Sequence, residues 1–591
     1  MQTKQDPRIY ATIPNGCWAA SPDAALFPEV RRGSATPPYK FQLHRSGLAR
    51  VLVLALLAPI SVMLSQPAAR TFDVRAYGAS GDGRTLDTDA INRAIEAAAA
   101  AGGGTVWFSS GAYASYSIHL KSNVGLYLDH GATILAADPP AEGTPGGYDA
   151  PEPNPWDNYQ DFGHCHWHNS LIWGEGLTNI SITGPGRIFG KGLSRGYGRK
   201  DPLPGEPRPP LPAAPPSDKG IAKTPFGYPN PEDTLAAGTG NKAIALKNCR
   251  NVIFRDFTIY HGGHFAILAT GVDNWVCDGL TIDTNRDGID FDCCQNVRVA
   301  NCTVNSPNDD GICPKSSFAL GYNRLTQNVT ITGCQVSGYD EGSLLDGTCR
   351  RTPRAYGGPT GRIKFGTEAN GGFKNITIAN CVFDYCSGLA LEEVDGGWME
   401  DVTVTGLTMR DIVNAPIFIR LGARLRGPNH PPVGAARRIT IANVVASNVA
   451  PAHGILIVAI PGSRIEDVSL SNILIEYRGG GTKEEAARAV PEEEKEYPEP
   501  GRFGTISSWG LFARHVKNLS LDHVELRTQK EDFRPAINLD DVVGADFDHV
   551  KAVPAAGVPT VVLKNVDGFV AHNCPGLPDT RRDRPVADEK L

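Results

Sequence analysis

A nine-residue pattern recurs along the chain and constrains its fold more than any other feature. Each copy begins with a polar residue, continues with alternating β-branched residues, and reaches an Asn, Asp or Gly before a short apolar pair. Copies occupy residues 251–259, 296–304, 328–336, 375–383, 401–409, 438–446, 467–475 and 518–526, and a weaker copy starts at Asn274. Copies that follow each other directly, starting at 251, 274 and 296, are 22 or 23 residues apart. The pattern therefore predicts a stack of similar coils, some of them lengthened by inserted loops.

The alternation has the period of a β-strand, and no helical pattern of about ten residues separates the copies. This excludes βαβ units and predicts an all-β fold, a parallel β-helix or solenoid, whose terminal coils need caps. Residues 88–101 form the one convincing amphipathic helix, with Asp87 or Thr88 as its N-cap and Gly102 at its end. We expect this helix to cap the N-terminal end.

The predicted domains are a leader over 1–69, a parallel β-helix catalytic domain over 70–575 and a C-terminal tail over 576–591. Within the leader, about 44–69 resembles a secretory signal, because the apolar stretch 51–64 follows Arg45 and Arg50. That stretch is shorter than the roughly 20 residues that a membrane-spanning helix needs. We therefore expect an exported protein, periplasmic or extracellular, without stable membrane insertion.

The formal net charge of −7 leaves no basic excess to bind nucleic acid. Removing the leader takes Cys17 from the 13 cysteines, and the remaining ones lie at repeat-equivalent positions. Both disulfides and stacked buried thiols are compatible with this pattern. The sequence leaves the oligomeric state open.

Three aspartates carry the strongest sign of chemistry. Asp287 and Asp310 each begin an Asp-Gly-Ile segment one coil apart, and Asp309 precedes the second. Since parallel strands lie about 4.8 Å apart, the three carboxylates should crowd together. Crowding raises at least one pKa, so that one acid can hold a proton beside an ionised base. Solvated turn aspartates or a calcium site are the alternatives.

The segments around these acids resemble glycoside hydrolase family 28, the polygalacturonases. The resemblance rests on Asn285-Arg-Asp287, Asn308-Asp309-Asp310, the Gly-Thr-Glu segment ending at Glu368, and an N-terminal Phe-Asp-Val-Arg-Ala-Tyr-Gly-Ala at 72–79. It implies a right-handed parallel β-helix that hydrolyses pectin with inversion. It also implies that Asp309 is the general acid, and that Asp287 and Asp310 activate the attacking water.

Two family motifs are not where the resemblance would put them. The family's Gly-His-Gly is replaced by a segment that contains Glu341, and Glu392 and Glu393 stand where Arg-Ile-Lys should grip the substrate carboxylate. An Arg362-Ile-Lys364 precedes Gly-Thr-Glu in what we interpret as an inserted loop, and we favour a coincidental match. The alternative is that Arg362 and Lys364 fold back over the groove and restore uronate binding. A glutamate in place of the cations predicts a different or modified sugar at the cleavage point, such as rhamnose-containing pectin.

Seven further residues are candidate substrate contacts. They are Asn285, His264, Lys315, Glu341, Glu368, Glu392 and Arg420. His264 could replace the missing histidine, and Arg420 could supply a replacement cation. The acidic run 484–499 is interpreted as a solvated loop.

Together these features predict an inverting glycoside hydrolase that acts on pectic polysaccharide or oligosaccharides of the galacturonate or rhamnogalacturonan type. No cofactor or metal is predicted. Insertions at 197–237 and 343–365 could close one end of a groove, which favours exo action. A β-helix polysaccharide lyase and a non-catalytic carbohydrate-binding β-helix are the rival hypotheses.

Overall fold

A computed structural model describes residues 70–161, 163–195, 203–206, 235–352 and 358–591. The predicted leader lies outside these residues. Most of the described chain forms short strands that stack in three parallel ladders. The all-β parallel β-helix predicted from the repeat is therefore confirmed.

The first two ladders contain the predicted repeat. The first ladder comprises Thr71–Asp73, Gly104–Phe108, Val124–Leu128, Thr178–Thr183, Arg250–Arg255, Asp273–Asp278, Gln295–Ala300, Thr326–Thr332, Phe373–Ala379, Trp398–Arg410, Ala435–Val449, Ile465–Tyr477, Leu511–Thr528, Ile537–Asp548 and Val561–His572. The second comprises Asp82–Leu86, Gly111–Ser115, Ala132–Ala136, Arg187–Phe189, Thr258–Tyr260, Thr281–Asp283, Thr303–Asn305, Gln335–Ser337 and Val382–Asp384. In later coils the two strands merge into one long strand, with Lys551–Ala552 as a short separate piece.

The third ladder contains or adjoins most of the candidate site residues predicted from the sequence. It comprises Ile118–His119, Ile172–Glu175, Lys242–Lys247, Phe265–Thr270, Asp287–Asp292, Ile312–Lys315, Lys364–Phe365, Leu389–Glu393, Ile417–Leu421 and Ile455–Val458, and it continues through the first residues of Leu511–Thr528, Ile537–Asp548 and Val561–His572. Inward side chains from all three ladders form one continuous apolar core.

Both ends of the stack are covered. The helix Thr88–Ala100 buries Ala90, Ile91, Ala94, Ile95 and Ala98 against the first coils, which confirms the predicted cap. At the other end, Thr580–Arg582 and Val586–Lys590 pair antiparallel with Val561–His572. Residues 576–591, set apart above as a tail, thus belong to the β-helix domain. Among the described residues, the remaining helices are the α-helix Lys483–Ala486 and the 3₁₀ turns Val74–Tyr77, Asp157–Tyr159 and Pro500–Phe503.

A column of asparagines explains the polar residue that opens many repeats. Asn251, Asn274, Asn296 and Asn328 all have φ between 53° and 59°, a left-handed conformation that asparagine tolerates better than most residues. Each amide nitrogen donates to the amide oxygen of the asparagine one coil earlier, as Asn274 Nδ2 does to Asn251 Oδ1 at 3.0 Å. The column satisfies its polar groups internally while it sets the bend between two strands.

The twelve cysteines among the described residues are free thiols, and all but Cys349 are buried. Cys302, Cys334 and Cys381 occupy the same turn in three successive coils, and each Sγ donates to a carbonyl two residues earlier, at 3.2 to 3.4 Å. Of the two alternatives left open by the sequence, the structure has the stacked thiols. In the same described part of the chain, no helix is long and apolar enough to cross a membrane.

We expect Ile331→Ala to destabilise the protein by about 2 to 5 kcal/mol, because Ile331 is fully buried in a central coil and its loss leaves a cavity. The neighbouring Thr330→Ala is a matched control, since Thr330 is exposed on the same strand. Urea unfolding midpoints measure the difference. Equal midpoints for the two variants would contradict the inward packing of Ile331.

Candidate active site

The third ladder brings the three predicted aspartates together. Ile289 pairs with Ile312 in the next coil, so Asp287 lies beside Asp310. One carboxylate oxygen from each of Asp287, Asp309 and Asp310 lies within 4.8 Å of the other two. Inverting glycosidases usually hold their two carboxyl groups about 6.5 to 9.5 Å apart, and retaining ones about 5 to 5.5 Å apart. The oxygens of this cluster approach each other more closely than either range, and the same oxygens could ligate a cation.

Asp310 is held in its ionised form by two cations of the following coil. Arg362 Nε donates to Asp310 Oδ1 at 2.8 Å, and Lys364 Nζ lies 3.0 Å from Asp310 Oδ2. Burial alone would raise the pKa of Asp310, but Lys364, Arg362 and Lys315 outweigh it and lower the pKa to about 2. Asp310 can therefore act as a base across the physiological pH range.

This contact corrects the interpretation of Arg362-Ile-Lys364 as a coincidence in an inserted loop. Ile363 forms a parallel bridge with Ile312, and Lys364 lies in the strand Lys364–Phe365. The two cations thus belong to the coil that follows Asp309 and Asp310, and both are nearly fully buried. The insertion precedes the motif and does not contain it.

Asp287 has the opposite electrostatic environment. Burial raises its pKa well above the usual range, and the charges of Asp309 and Asp290 raise it further, while Lys315 and Arg286 only partly offset the rise. Asp309 is the most accessible of the three, with 23% of its side chain exposed, and it accepts a hydrogen bond from Arg286. One proton is therefore held on Asp287, beside an acid that faces solvent.

Lys315 joins the cluster although it lies five residues after Asp310. Its Nζ is 3.6 Å from Asp290 Oδ2 and 3.4 Å from Glu368 Oε2. Asp290 is fully buried, and His164 Nε2 lies 3.6 Å from its carboxylate. Lys315 therefore contacts Asp290 and Glu368, and its charge also lowers the pKa of Asp287 and of Asp310.

Glu368 is a structural anchor in the free protein. Its carboxylate is fully buried, accepts hydrogen bonds from the Asp161 backbone N–H at 3.0 Å and from Arg426 at 2.9 Å, and lies near Lys315. His164, Lys315 and Arg426 overcome the effect of burial and hold its pKa well below the usual range. The predicted substrate contact at Glu368 therefore becomes an indirect one, because this residue fixes two loops and Lys315.

Asn285 and Glu341 line a cavity of about 270 Å³ next to the acids. Asn285 Nδ2 donates to Glu341 Oε2 at 3.2 Å, and His261 Nδ1 lies 2.9 Å from Glu341 Oε1. His264 lies in the same region, and its Nδ1 is 2.7 Å from the Arg195 carbonyl oxygen. Burial and the nearby Arg286 lower the pKa of His264 well below its usual range. Asn285 and Glu341 are thus placed where a sugar could contact them. His264 is an uncharged imidazole in the same region.

Glu392 lies beside the cations rather than replacing them. Its oxygens are 4.0 Å from Arg362 Nη2 and 3.9 Å from Lys364 Nζ. Burial raises the pKa of Glu392 to about 8, against the attraction of the two cations. Its neighbour Glu393 is also fully buried, and one oxygen accepts the Gly397 N–H at 3.0 Å. Glu392 therefore does not take the place of the cations, and the prediction of a neutral sugar, which assumed that it did, loses its basis.

Arg420 does not serve as a replacement cation. It pairs with Glu392 in strand register, but its guanidinium donates to the backbone carbonyls of Glu492, Glu493 and Ala459. These hydrogen bonds hold the acidic segment 484–499 in place. The Arg420 guanidinium is therefore engaged by the chain itself and is not directed at a substrate.

Comparisons with known proteins agree with this architecture. Residues 71–143 match a family model described as rhamnogalacturonase A/epimerase, pectate lyase-like, and residues 232–353 match one described as a right handed beta helix region. An exo-poly-alpha-D-galacturonosidase of Dickeya chrysanthemi is 28% identical over 273 residues, which are 44% of this chain and 43% of that protein. A probable polygalacturonase of Vitis vinifera is 23% identical over 352 residues, 56% of this chain and 60% of the relative.

Among solved structures, a family 28 exopolygalacturonase of Yersinia enterocolitica matches with a TM-score of 0.53 at 19% identity, over 84% of this chain and 77% of that one. The resemblance to polygalacturonases is confirmed. The right-handed parallel β-helix is confirmed with it. The matches span less than two thirds of the length of the two curated relatives.

The polygalacturonase-like site also contains a segment that sequence reasoning missed. The acidic run 484–499, interpreted above as a solvated loop, reaches the cation pair. Glu499 accepts a hydrogen bond from Arg362, and the Tyr497 hydroxyl lies 3.5 Å from Lys364 Nζ. The Tyr497 ring also lies over Lys364 and Arg424, at 5.4 and 5.8 Å from its centroid. Tyr497, the one aromatic residue in that acidic run, is the single feature of the sequence that indicates this packing.

We expect Glu392→Gln to remove a pH dependence of stability from this polygalacturonase-like protein. The folded-state pKa of Glu392 is about 8, against an ordinary value of 4.5. The folded protein therefore holds an extra proton between these values, and stability falls as pH rises, by up to about 1.4 kcal/mol per pH unit. Urea unfolding from about pH 5 to about pH 8 measures the slope.

The isosteric Gln cannot ionise, so its slope should be the shallower one. Glu496→Gln, on an exposed residue, is the matched control and should follow the wild type. Identical slopes in all three proteins would mean that Glu392 does not hold a proton in the fold.

Proposed function

We propose that this chain is an exported glycoside hydrolase that cleaves galacturonate-containing pectic chains from one end, with inversion. The observation that carries the proposal is the split within one carboxylate cluster. Asp310 is kept ionised by Arg362 and Lys364, while Asp287 is kept protonated by burial and by Asp309. Pairs of carboxyl groups with pKa values driven apart are what acid–base cleavage of a glycosidic bond requires.

The roles follow from exposure and charge. Asp287 holds a proton in the free protein, because burial and the charge of Asp309 raise its pKa. Asp309 is the more exposed partner and is placed to deliver that proton to the glycosidic oxygen. Asp310 accepts a proton from the attacking water, and Asp287 helps to orient that water. The resemblance to family 28 supports the same assignment and the inverting course.

Arg362 and Lys364 support a uronate at the cleavage point. They adjoin Asp310, so a sugar held over the acids has two cations within reach of its carboxylate. The hypothesis of a neutral sugar assumed that these two cations lie away from the cleavage point. Their position beside Asp310 favours a uronate instead. Rhamnogalacturonan stays in the proposal as the alternative polymer, because it also contains galacturonate.

Exo action is supported by what covers the cations. Arg362 and Lys364 are 1% and 2% exposed, beneath Tyr497 and Glu499. A polymer that passes over Asp310 has no open path across this pair in the described part of the chain. A chain end fits such a site better than an interior segment.

A polysaccharide lyase is the second candidate, and one observation favours it: the three carboxylate oxygens could hold a cation that acidifies a uronate. Ultraviolet absorbance of an unsaturated product, lost after chelation and restored by calcium, would identify a lyase. Reducing ends released without that absorbance would support the hydrolase.

We expect Asp309→Asn and Asp310→Asn each to lower kcat/KM on trigalacturonate by at least about 10², because each removes one half of the acid–base pair. An aryl galacturonide with a good leaving group should restore much of the activity of Asp309→Asn but not of Asp310→Asn, since such a group departs without a proton. Asp546→Asn, in an exposed position of a late coil, is the control.

Activity of Asp309→Asn within tenfold of the wild type would remove Asp309 from the mechanism. Proton NMR of the first-formed anomer tests inversion in the same assay. Retention would instead assign a nucleophile to the closely spaced cluster.

We expect Arg362→Ala to raise KM for trigalacturonate by at least about tenfold, because a carboxylate contact is lost. Arg362→Lys keeps the charge and should recover part of that loss. Product sizing should show galacturonate released first by the wild type. Faster cleavage of rhamnogalacturonan oligosaccharides than of trigalacturonate, unchanged by Arg362→Ala, would contradict the uronate assignment.

A further inference from the structure

The cation pair next to Asp310 is already occupied by carboxylates of the chain itself. Asp310 and Glu392 approach it from strands of the third ladder, where the backbone fixes them. Glu499 approaches it from the acidic segment and accepts a hydrogen bond from Arg362. Its carboxylate lies 3.9 Å from Lys364 Nζ. The pair thus has three carboxylates around it before any substrate is present.

Glu499 differs from the other two carboxylates in its exposure. Its side chain is 30% exposed, whereas those of Asp310 and Glu392 are 2% and 0% exposed. Among the described residues that contact the pair, Glu499 therefore stands on the solvent side. A carboxylate that arrives from solvent must meet the cations where Glu499 now lies.

The backbone that carries Glu499 is held on both sides of a short exposed stretch. Before the stretch, Arg420 binds the carbonyls of Glu492 and Glu493, and the Ala423 N–H donates to the Glu494 carbonyl at 2.7 Å. After it, Pro500 and Phe503 are buried. Residues 495 and 496 between these anchors are exposed, whereas Pro498, next to Glu499, is buried. The backbone at Glu499 is therefore fixed, and rotation of its side chain is the movement that can uncover the cations.

We propose that Glu499 is an internal competitor for the substrate carboxylate: it binds the Arg362–Lys364 pair in the free protein and must move aside before a uronate can bind there. This inference rests on the proposed function, because it assumes a uronate ligand. It makes Glu499 a residue that determines specificity. A neutral sugar brings no carboxylate to displace Glu499, so only an acidic unit gains the cation contacts.

The competition has a consequence for affinity. In the wild type, each uronate that binds must exchange one carboxylate for another on the same cations. When the charge of Glu499 is removed, the pair loses a partner and gains an uncompensated positive charge. A free uronate should then bind more tightly, in contrast to the loss expected when a residue contacts the substrate directly.

Isothermal titration with galacturonate tests this on the whole chain. We expect Glu499→Gln to bind galacturonate at least about tenfold more tightly than the wild type, since a competing charge about 4 Å away is removed. Glu496→Gln, on the exposed stretch of the same segment, should bind like the wild type. Arg362→Ala in the Glu499→Gln background should abolish the gain. Glu499→Ala serves as a second variant, and thermal unfolding checks that each protein is folded.

Binding by Glu499→Gln that equals or is weaker than wild-type binding would overturn the inference. If the wild type still cleaves trigalacturonate in that case, the proposed function stands and only the competitor role fails. If the wild type neither binds galacturonate nor cleaves trigalacturonate, both fail.

Discussion

Backbone pairing between successive coils is the constraint on which the rest of the structure depends. Each strand bonds to its equivalent in the next coil, so a residue in one coil lies directly beside its counterpart about 4.8 Å away. Apolar residues then stack into one core, and asparagines stack into a column that satisfies its own amides. The same pairing sets Asp287 beside Asp310, and Ile312 beside Ile363. The candidate site therefore has the same backbone geometry as the other coils and differs from them in its side chains.

Stacking like charges is costly, and the third ladder limits the cost by alternating them. After Asp310 come Arg362 and Lys364, then Glu392, then Arg420, in successive coils. Asp287 and Asp310 are an exception, since two acids follow each other there and Asp309 lies close to both. Burial and the charge of Asp309 raise the pKa of Asp287, so this group of acids holds a proton. Cations on one side of it keep Asp310 ionised, so the difference between the two acids arises from position rather than residue type.

The repeat allowed the fold, the cap and the meeting of the three aspartates to be predicted, because each depends on spacing within one coil. The placement of Arg362 could not be predicted in the same way. A long insertion precedes it, so counting residues from Gly-Thr-Glu suggested a loop, although Ile363 continues the inward alternation. Glu368 is predicted as a substrate contact from the family resemblance, and Arg420 from its charge alone. Their partners Arg426 and the Glu492 carbonyl come from distant loops, which no local pattern relates to them.

Those distant loops determine access to the acids, which the uniform ladder cannot do. A regular coil offers the same groove at every level, so an enclosed site has to be built from insertions. Glu368 binds Arg426 and the Asp161 backbone, and Arg362 binds Glu499, so insertions that are far apart in sequence are joined at one corner of the stack. Because loop closure becomes only slowly more costly with length, long insertions add little penalty to a stable ladder. Buried ion pairs then select one arrangement of these loops, since any other would leave a charge without its partner. The geometry of the acids is thus set by the ladder, whereas access to them is set by loop residues that the repeat does not encode.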